Sequence, residues 1–207
     1  MPLQLVTPPA EEPVALAQAK LHLRVDFPDD DALIAASIVA ARQAAETQTG
    51  RQFVTATWRS VLDAFPGAGP TEGARGGAFS LTPGAILLPR SPVQSVTAID
   101  YLDGAGVWQT MPATDYTVDT AAEPARITPV FGQVWPVTRP QIGAVRVTFV
   151  AGYGGAAAVP EGVKSWILLR VGSLYNHRED VALLTRGSLQ PMPFLDGLLD
   201  PFRVVTI

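Results

Sequence analysis

The stretch from Asp29 to Arg51 constrains the fold more than any other: Asp-Asp-Asp-Ala-Leu-Ile-Ala-Ala-Ser-Ile-Val-Ala-Ala-Arg-Gln-Ala-Ala-Glu-Thr-Gln-Thr-Gly-Arg. Seven alanines lie in it, and alanine is the best helix former. Asp29 or Asp30 can cap the first turn, since a short carboxylate accepts from the free backbone N–H groups there. The three acids also face the positive end of the helix dipole. Gly50 stops the helix by taking a left-handed conformation at no steric cost. Leu33, Ile34, Ile38 and Ala41 make one apolar stripe, extended by Ala45. Small residues let a second helix approach closely. This helix is therefore expected to be packed on more than one side, by its own chain or by another subunit.

A shorter helix is expected before it, over residues 14–25. Pro13 suits its first position and Leu16, Ala19, Lys20 and Leu23 follow helical spacing, with Leu21 broadening the face. Asp26-Phe27-Pro28 breaks it. After Gly50 the hydrophobic period changes to two. Strands are expected over 53–62, 85–88, 93–102, 107–111, 116–118, 126–129 and 143–150, with Asp103-Gly-Ala-Gly106 as a hairpin turn. Residues 66–77 read as an exposed glycine loop. Prolines 89, 92, 112, 124, 129, 136 and 140 favour short strands over one large regular sheet. Helical spacing returns after Pro160, with Val163, Trp166, Ile167, Arg170, Val171 and Leu174 on one face. The tail from Val181 to Ile207 is too apolar to float free and too rich in proline for one long helix, so it must dock on this chain or on a partner. The fold class is α+β: a helical core (1–51 and 159–207) with a large inserted antiparallel β block (52–158).

Composition narrows the function. The chain is 47% hydrophobic and 16% charged, which marks it as globular. It has no cysteine, which excludes disulfides, thiol nucleophiles and Cys-ligated zinc. The N-terminus lacks the basic region of a signal peptide, and no apolar run reaches the length of a membrane span. A soluble protein made in the cytoplasm, with no membrane partner, is expected. Residues 1–50 carry three basic and seven acidic side chains, which accounts for the whole net charge of −4. A surface that grips duplex DNA needs clustered Lys and Arg, and none is present. An acidic surface can instead line a passage through which nucleic acid slides.

No catalytic constellation is found. His22 and His177 stand alone, without a metal-ligand pattern. Asp29, Asp30 and Asp31 lack calcium-loop spacing and read as a cap and a solvated turn. Gly152-Tyr-Gly-Gly155 is not followed by Lys-Ser/Thr, so it is a strand-to-helix turn. Trp58, Trp108, Trp135 and Trp166 read as core or interface anchors. No enzyme, cofactor or metal is expected.

The order of short motifs is familiar. Pro-Val-Ala-Leu-Ala-Gln-Ala-Lys-Leu-His-Leu-Arg-Val-Asp (13–26) precedes Asp-Asp-Asp-Ala-Leu-Ile (29–34) and Ala-Ala-Arg-Gln-Ala-Ala-Glu (40–46). Thr-Gly-Arg (49–51) and Thr-Trp (57–58) come next, then Leu-Pro-Arg-Ser-Pro-Val-Gln-Ser-Val (88–96). Val-Thr-Phe-Val-Ala-Gly-Tyr-Gly (147–154), Val-Pro-Glu-Gly-Val-Lys (159–164) and Leu-Leu-Asp-Pro-Phe-Arg-Val (198–204) complete the series. This resembles the head–tail connector (adaptor, or head-completion) proteins of long-tailed bacteriophages, in a version with a β insertion that also occurs in phage-like gene transfer agents. The resemblance implies a structural protein of the virion neck, made in the bacterial host cytoplasm. It implies a ring, a dodecamer, under the portal protein, with the next neck or tail-completion protein below and double-stranded DNA passing through without sequence-specific binding. It suggests Phe194, Leu195, Leu198, Leu199, Phe202 and Arg203 as portal contacts. Asp29, Asp30, Asp31, Arg42 and Glu46 are candidates for a subunit interface or the channel. The competing reading is a carbohydrate- or peptide-binding β module with exposed aromatics around Trp108 and Trp135. A truncation after Thr185 is expected to fold normally but to lose the portal.

Overall fold

The computed structural model describes residues 2–67, 84–177 and 197–204. Most of the glycine loop and of the apolar tail, including Phe194 and Leu195, lies outside the described residues. The chain divides into two compact units: residues 10–54 with 154–203, and residues 1–9 with 55–153 and 204–207.

The first unit is helical. Helix α1 spans Leu16–Leu23, α2 Asp31–Thr49 and α3 Glu161–Asn176, and each packs on the other two. Ile34, Ile38, Ala41 and Ala45 are buried along α2, at the i, i+4, i+7, i+11 spacing that keeps one face inward. Burial of each isoleucine stabilises by about 1.5–3 kcal/mol. Leu33, expected in that stripe, stands one residue round the helix and is exposed. Leu21 of α1 likewise faces outward. Gly50 ends α2 with φ 70°, the left-handed stop expected of it. From α3, Val163, Trp166, Ile167 and Val171 enter the core, whereas Arg170 and Leu174 do not. Among the described residues no helix is long and apolar enough to cross a membrane.

Among the described residues, the second unit holds eight antiparallel strands in two sheets. Strands β1 (Leu3–Thr7), β2 (Ala56–Leu62), β8 (Val145–Ala151), β4 (Val93–Leu102) and β5 (Trp108–Thr110) lie side by side in that order. Strands β3 (Ile86–Leu88), β7 (Ala125–Pro129) and β6 (Tyr116–Asp119) form the smaller sheet. The alternation along β8 is complete, with Val145, Val147, Phe149 and Ala151 buried and the residues between them half-buried. They join Ile99 of β4, Ile86 and Leu88 of β3 and Ile127 of β7 in one core. The β4–β8 register slips between Val93 and Ser95 and again between Val96 and Ala98. These irregularities re-aim the side chains of β4, which is why its alternation is uneven.

Two carboxylates order the hairpin ends of this unit. Asp103 accepts from the backbone N–H groups of Val107 and Ala105 and from the Gln109 amide, each at 2.9 Å. Asp119 accepts from Arg126 at 2.9 Å and from the N–H groups of Ala121 and Ala122. The Val107 N–H is the main reason that the Asp103 carboxyl is held below the usual range, and Arg126 the main reason for Asp119. A carboxyl with a lowered folded pKa contributes stability above its unfolded pKa, about pH 4, and loses it as pH falls through the folded value. Asp103→Asn and Asp119→Asn should therefore flatten the acid side of the stability profile below about pH 4. Denaturant midpoints measured against pH check this; an unchanged profile would refute it.

Candidate assembly surfaces

The acidic start of α2 is occupied by tertiary partners. Asp30 is the N-cap residue but makes no side-chain cap bond. Its carboxylate accepts from the Tyr175 hydroxyl of α3. Asp31 pairs with Lys20 of α1 at 2.5 Å, and Lys20 also donates to the Phe27 carbonyl. The expected capping role thus gives way to ties that fix α2 against both neighbours. Asp29 alone of the three is exposed.

Arg42 and Glu46 sit inside the helical unit, only 7 and 5% exposed. Arg42 donates to Glu12 and to Glu46, each at 2.7 Å. The second Glu46 oxygen accepts from the Gln52 amide at 2.7 Å and from the Phe53 backbone N–H at 3.2 Å. Burial pulls the Arg42 guanidinium down, but the bond to Glu12 and the charges of Glu46 and Glu12 outweigh it and raise its pKa. This cluster clamps the segment before α1, the body of α2 and the exit from α2 together. It gives both residues an internal role. Glu12 and Gln52 belong to it although no sequence pattern marks them.

The end of the chain folds back on the same unit. Leu199 is completely buried. Arg51 donates to the Phe202 carbonyl at 2.5 Å, and a Cβ on Gly162 would lie 3.4 Å from the Phe202 ring. Leu199 is therefore a packing residue of its own chain. Leu198 and Phe202 are half-buried and Arg203 is exposed. A truncation after Thr185 removes Leu199 and Phe202, so normal folding is no longer the expectation for it.

Among the described residues of this unit, two surfaces stay open. On α2, Ala32, Ala36, Ala40 and Ala44 are exposed, with Leu33 among them. Near α1, a groove of about 500 Å³ is lined by Pro13, Val14, Leu16, Ala35, Ile38 and Val39, with Glu11 and Glu12 at its edge.

In the β unit, Trp135 is buried and stacks on Phe65, with ring centroids 4.7 Å apart. The guanidinium of Arg146 covers one face of Trp108, 4.0 Å from the ring centroid. Neither indole forms the open platform that a sugar-binding module needs. Among the described residues of this unit the most exposed large apolar groups are instead Phe131, Val134, Val137 and Ile142, at 102, 84, 84 and 89% exposure. Sequence reasoning passed over them. Their one signal was an apolar run without alternation, broken by Pro136 and Pro140.

Helices tied by buried ion pairs, with small-residue and apolar surface left exposed, are the features of a chain built to pack against others. Residues 13–100 match the phage gp6-like head-tail connector protein family. The chain is similar to that family over this segment, and the family is one of head-tail connector proteins. It is similar to a chain in the neck of an empty gene transfer agent particle, computed with C6 symmetry. The identity is 26% and the TM-score 0.76, over 100% of this chain and 97% of that one. A chain in the virion of the native particle matches at 25% identity and TM-score 0.76, with the same coverage. A chain in the native neck computed with C12 symmetry matches at 26% and TM-score 0.72, again over 100% and 97%. Among curated proteins no match is found.

Proposed function

We propose that this chain is the head–tail connector of a tailed phage or phage-like particle, located in the virion neck. Copies form a ring under the portal, extend the DNA channel and present the platform for the next neck protein. The observation that carries this reading is the match along the whole chain to gene transfer agent neck chains, β unit included. The acid excess of the first fifty residues suits a channel that must release DNA rather than hold it. Of the acids at the start of α2, Asp29 is the one free to line that channel or a subunit boundary. The open alanine face of α2 suits close approach of a neighbouring copy. Phe194, Leu195, Leu198, Phe202 and Arg203 remain the portal contacts of choice, with the apolar side chains as anchors.

Particles lacking this protein should appear in electron micrographs as DNA-filled heads without tails. Normal tailed particles would refute the connector role. Because truncation disturbs packing, the portal assignment is tested with point changes. Phe194→Asp with Leu195→Asp should abolish attachment to the portal in a chain whose melting curve shows that it still folds; retained attachment would refute the tail assignment.

A further inference from the structure

The loop between β7 and β8 holds four large apolar side chains in solvent, and it is anchored throughout. Its start is fixed by the Val130 N–H donating to the Asp115 carbonyl at 3.1 Å. At its middle Trp135 is buried on Phe65 and donates its indole N–H to the Gly84 carbonyl at 2.6 Å. Further on, the Arg139 N–H donates to the Leu102 carbonyl at 3.0 Å and the Gly143 N–H to the Asp63 carboxylate at 2.8 Å. Phe131, Val134, Val137 and Ile142 thus project from a fixed frame. Such a patch binds without first having to be ordered. Arg139 is the only charged residue in residues 130–143. Depletion of charge around aliphatic and aromatic groups is the composition of permanent, homomeric interface cores.

We propose that this loop is a lateral contact that packs on a second copy of this chain beside it in the ring; the inference rests on the connector reading above. Three observations point to a second copy. The similar chains occur in necks computed with C6 and C12 symmetry, where each copy has identical neighbours and the contact between them is heterologous. Four side chains fall well short of the roughly 20–30 residues a side that a stable pairwise complex uses. A patch of that size works as one part of a larger, repeated interface, and in a closed ring each copy is held from both sides. Finally, the family segment ends at residue 100, before the loop begins. The loop therefore lies outside the segment shared with the family.

The test is photo-crosslinking in assembled particles, with Phe131 replaced by the photoreactive p-benzoylphenylalanine. The position is fully exposed and stays aromatic, so the fold is kept. The same label at Val137 serves if the first one blocks incorporation. Irradiation should give multiples of this chain, with adducts mapped to peptides of a second copy. Adducts to the portal or to another neck or tail protein overturn the inference. So does the absence of adducts in particles that contain the labelled chain. Particles in which even the unmodified chain is absent would instead refute the connector reading, and the two failures are distinct. As an independent arm, Val134→Asp with Val137→Asp should melt as the wild type while ring yield falls at least tenfold. An unchanged ring yield overturns the inference.

Discussion

Glu46→Ala should destabilise the chain by about 3–5 kcal/mol, the range for breaking a buried ion pair from one side. For a domain of this size that lowers the melting temperature by on the order of 10 °C. The size follows from what the carboxylate holds. One oxygen faces Arg42 at 2.7 Å; the other accepts from Gln52 and from the Phe53 N–H. Alanine leaves the buried guanidinium with Glu12 on a half-buried edge, and it takes an acceptor from two buried donors. Water cannot replace that acceptor cheaply in a closed core. Glu46→Gln keeps an amide oxygen near Phe53 but removes the charge, so its loss should be smaller than that of alanine. Denaturant unfolding of the three proteins decides the matter. A loss under about 1 kcal/mol for alanine would mean that the cluster is not what clamps α2.

That cluster also shows where reading the sequence stops. α2 was legible because everything that makes it a helix is local: alanine content, the 34–38–41–45 spacing and Gly50. The strands were legible by alternation, and β4 was found with its observed ends. The fate of the acids at 29–31 was not legible. Local chemistry makes them caps, but Tyr175 and Lys20 compete for the same carboxylates, and Tyr175 is some 145 residues away in sequence. Arg42 and Glu46 stand four residues apart and pair on the helix, but nothing in spacing connects them to Glu12 or Gln52. The tail was read as docking somewhere. Only three dimensions assign Leu199 to the chain's own core.

Each unit divides its apolar residues between a buried set and an exposed set, and this separates fold from assembly. On α2 the alanines that pack inward are Ala41 and Ala45, while Ala32, Ala36, Ala40 and Ala44 stay out on the same helix. Helix formation needs no such excess of exposed alanine over lysine or glutamate, which are comparable helix formers and better solvated. A flat face without long side chains is what a close neighbour requires. In the β unit the division runs between Phe149 and Phe131.

Phe149→Ala should cost about 3–5 kcal/mol, the range for an emptied phenylalanine site in a core. Phe149 is fully buried on the central strand β8, opposite Trp58 of β2 and Val96 of β4. Its ring is held between elements that cannot all close on the vacated space, so a cavity term adds to the lost burial. Phe131→Ser should change stability by less than about 0.5 kcal/mol, because the side chain is fully exposed. Thermal or denaturant midpoints of both variants measure the contrast. If Phe131→Ser proves as costly as Phe149→Ala, the loop belongs to the fold and loses its standing as an interface. If the contrast holds, the apolar surface at residues 131–142 serves something outside the single chain.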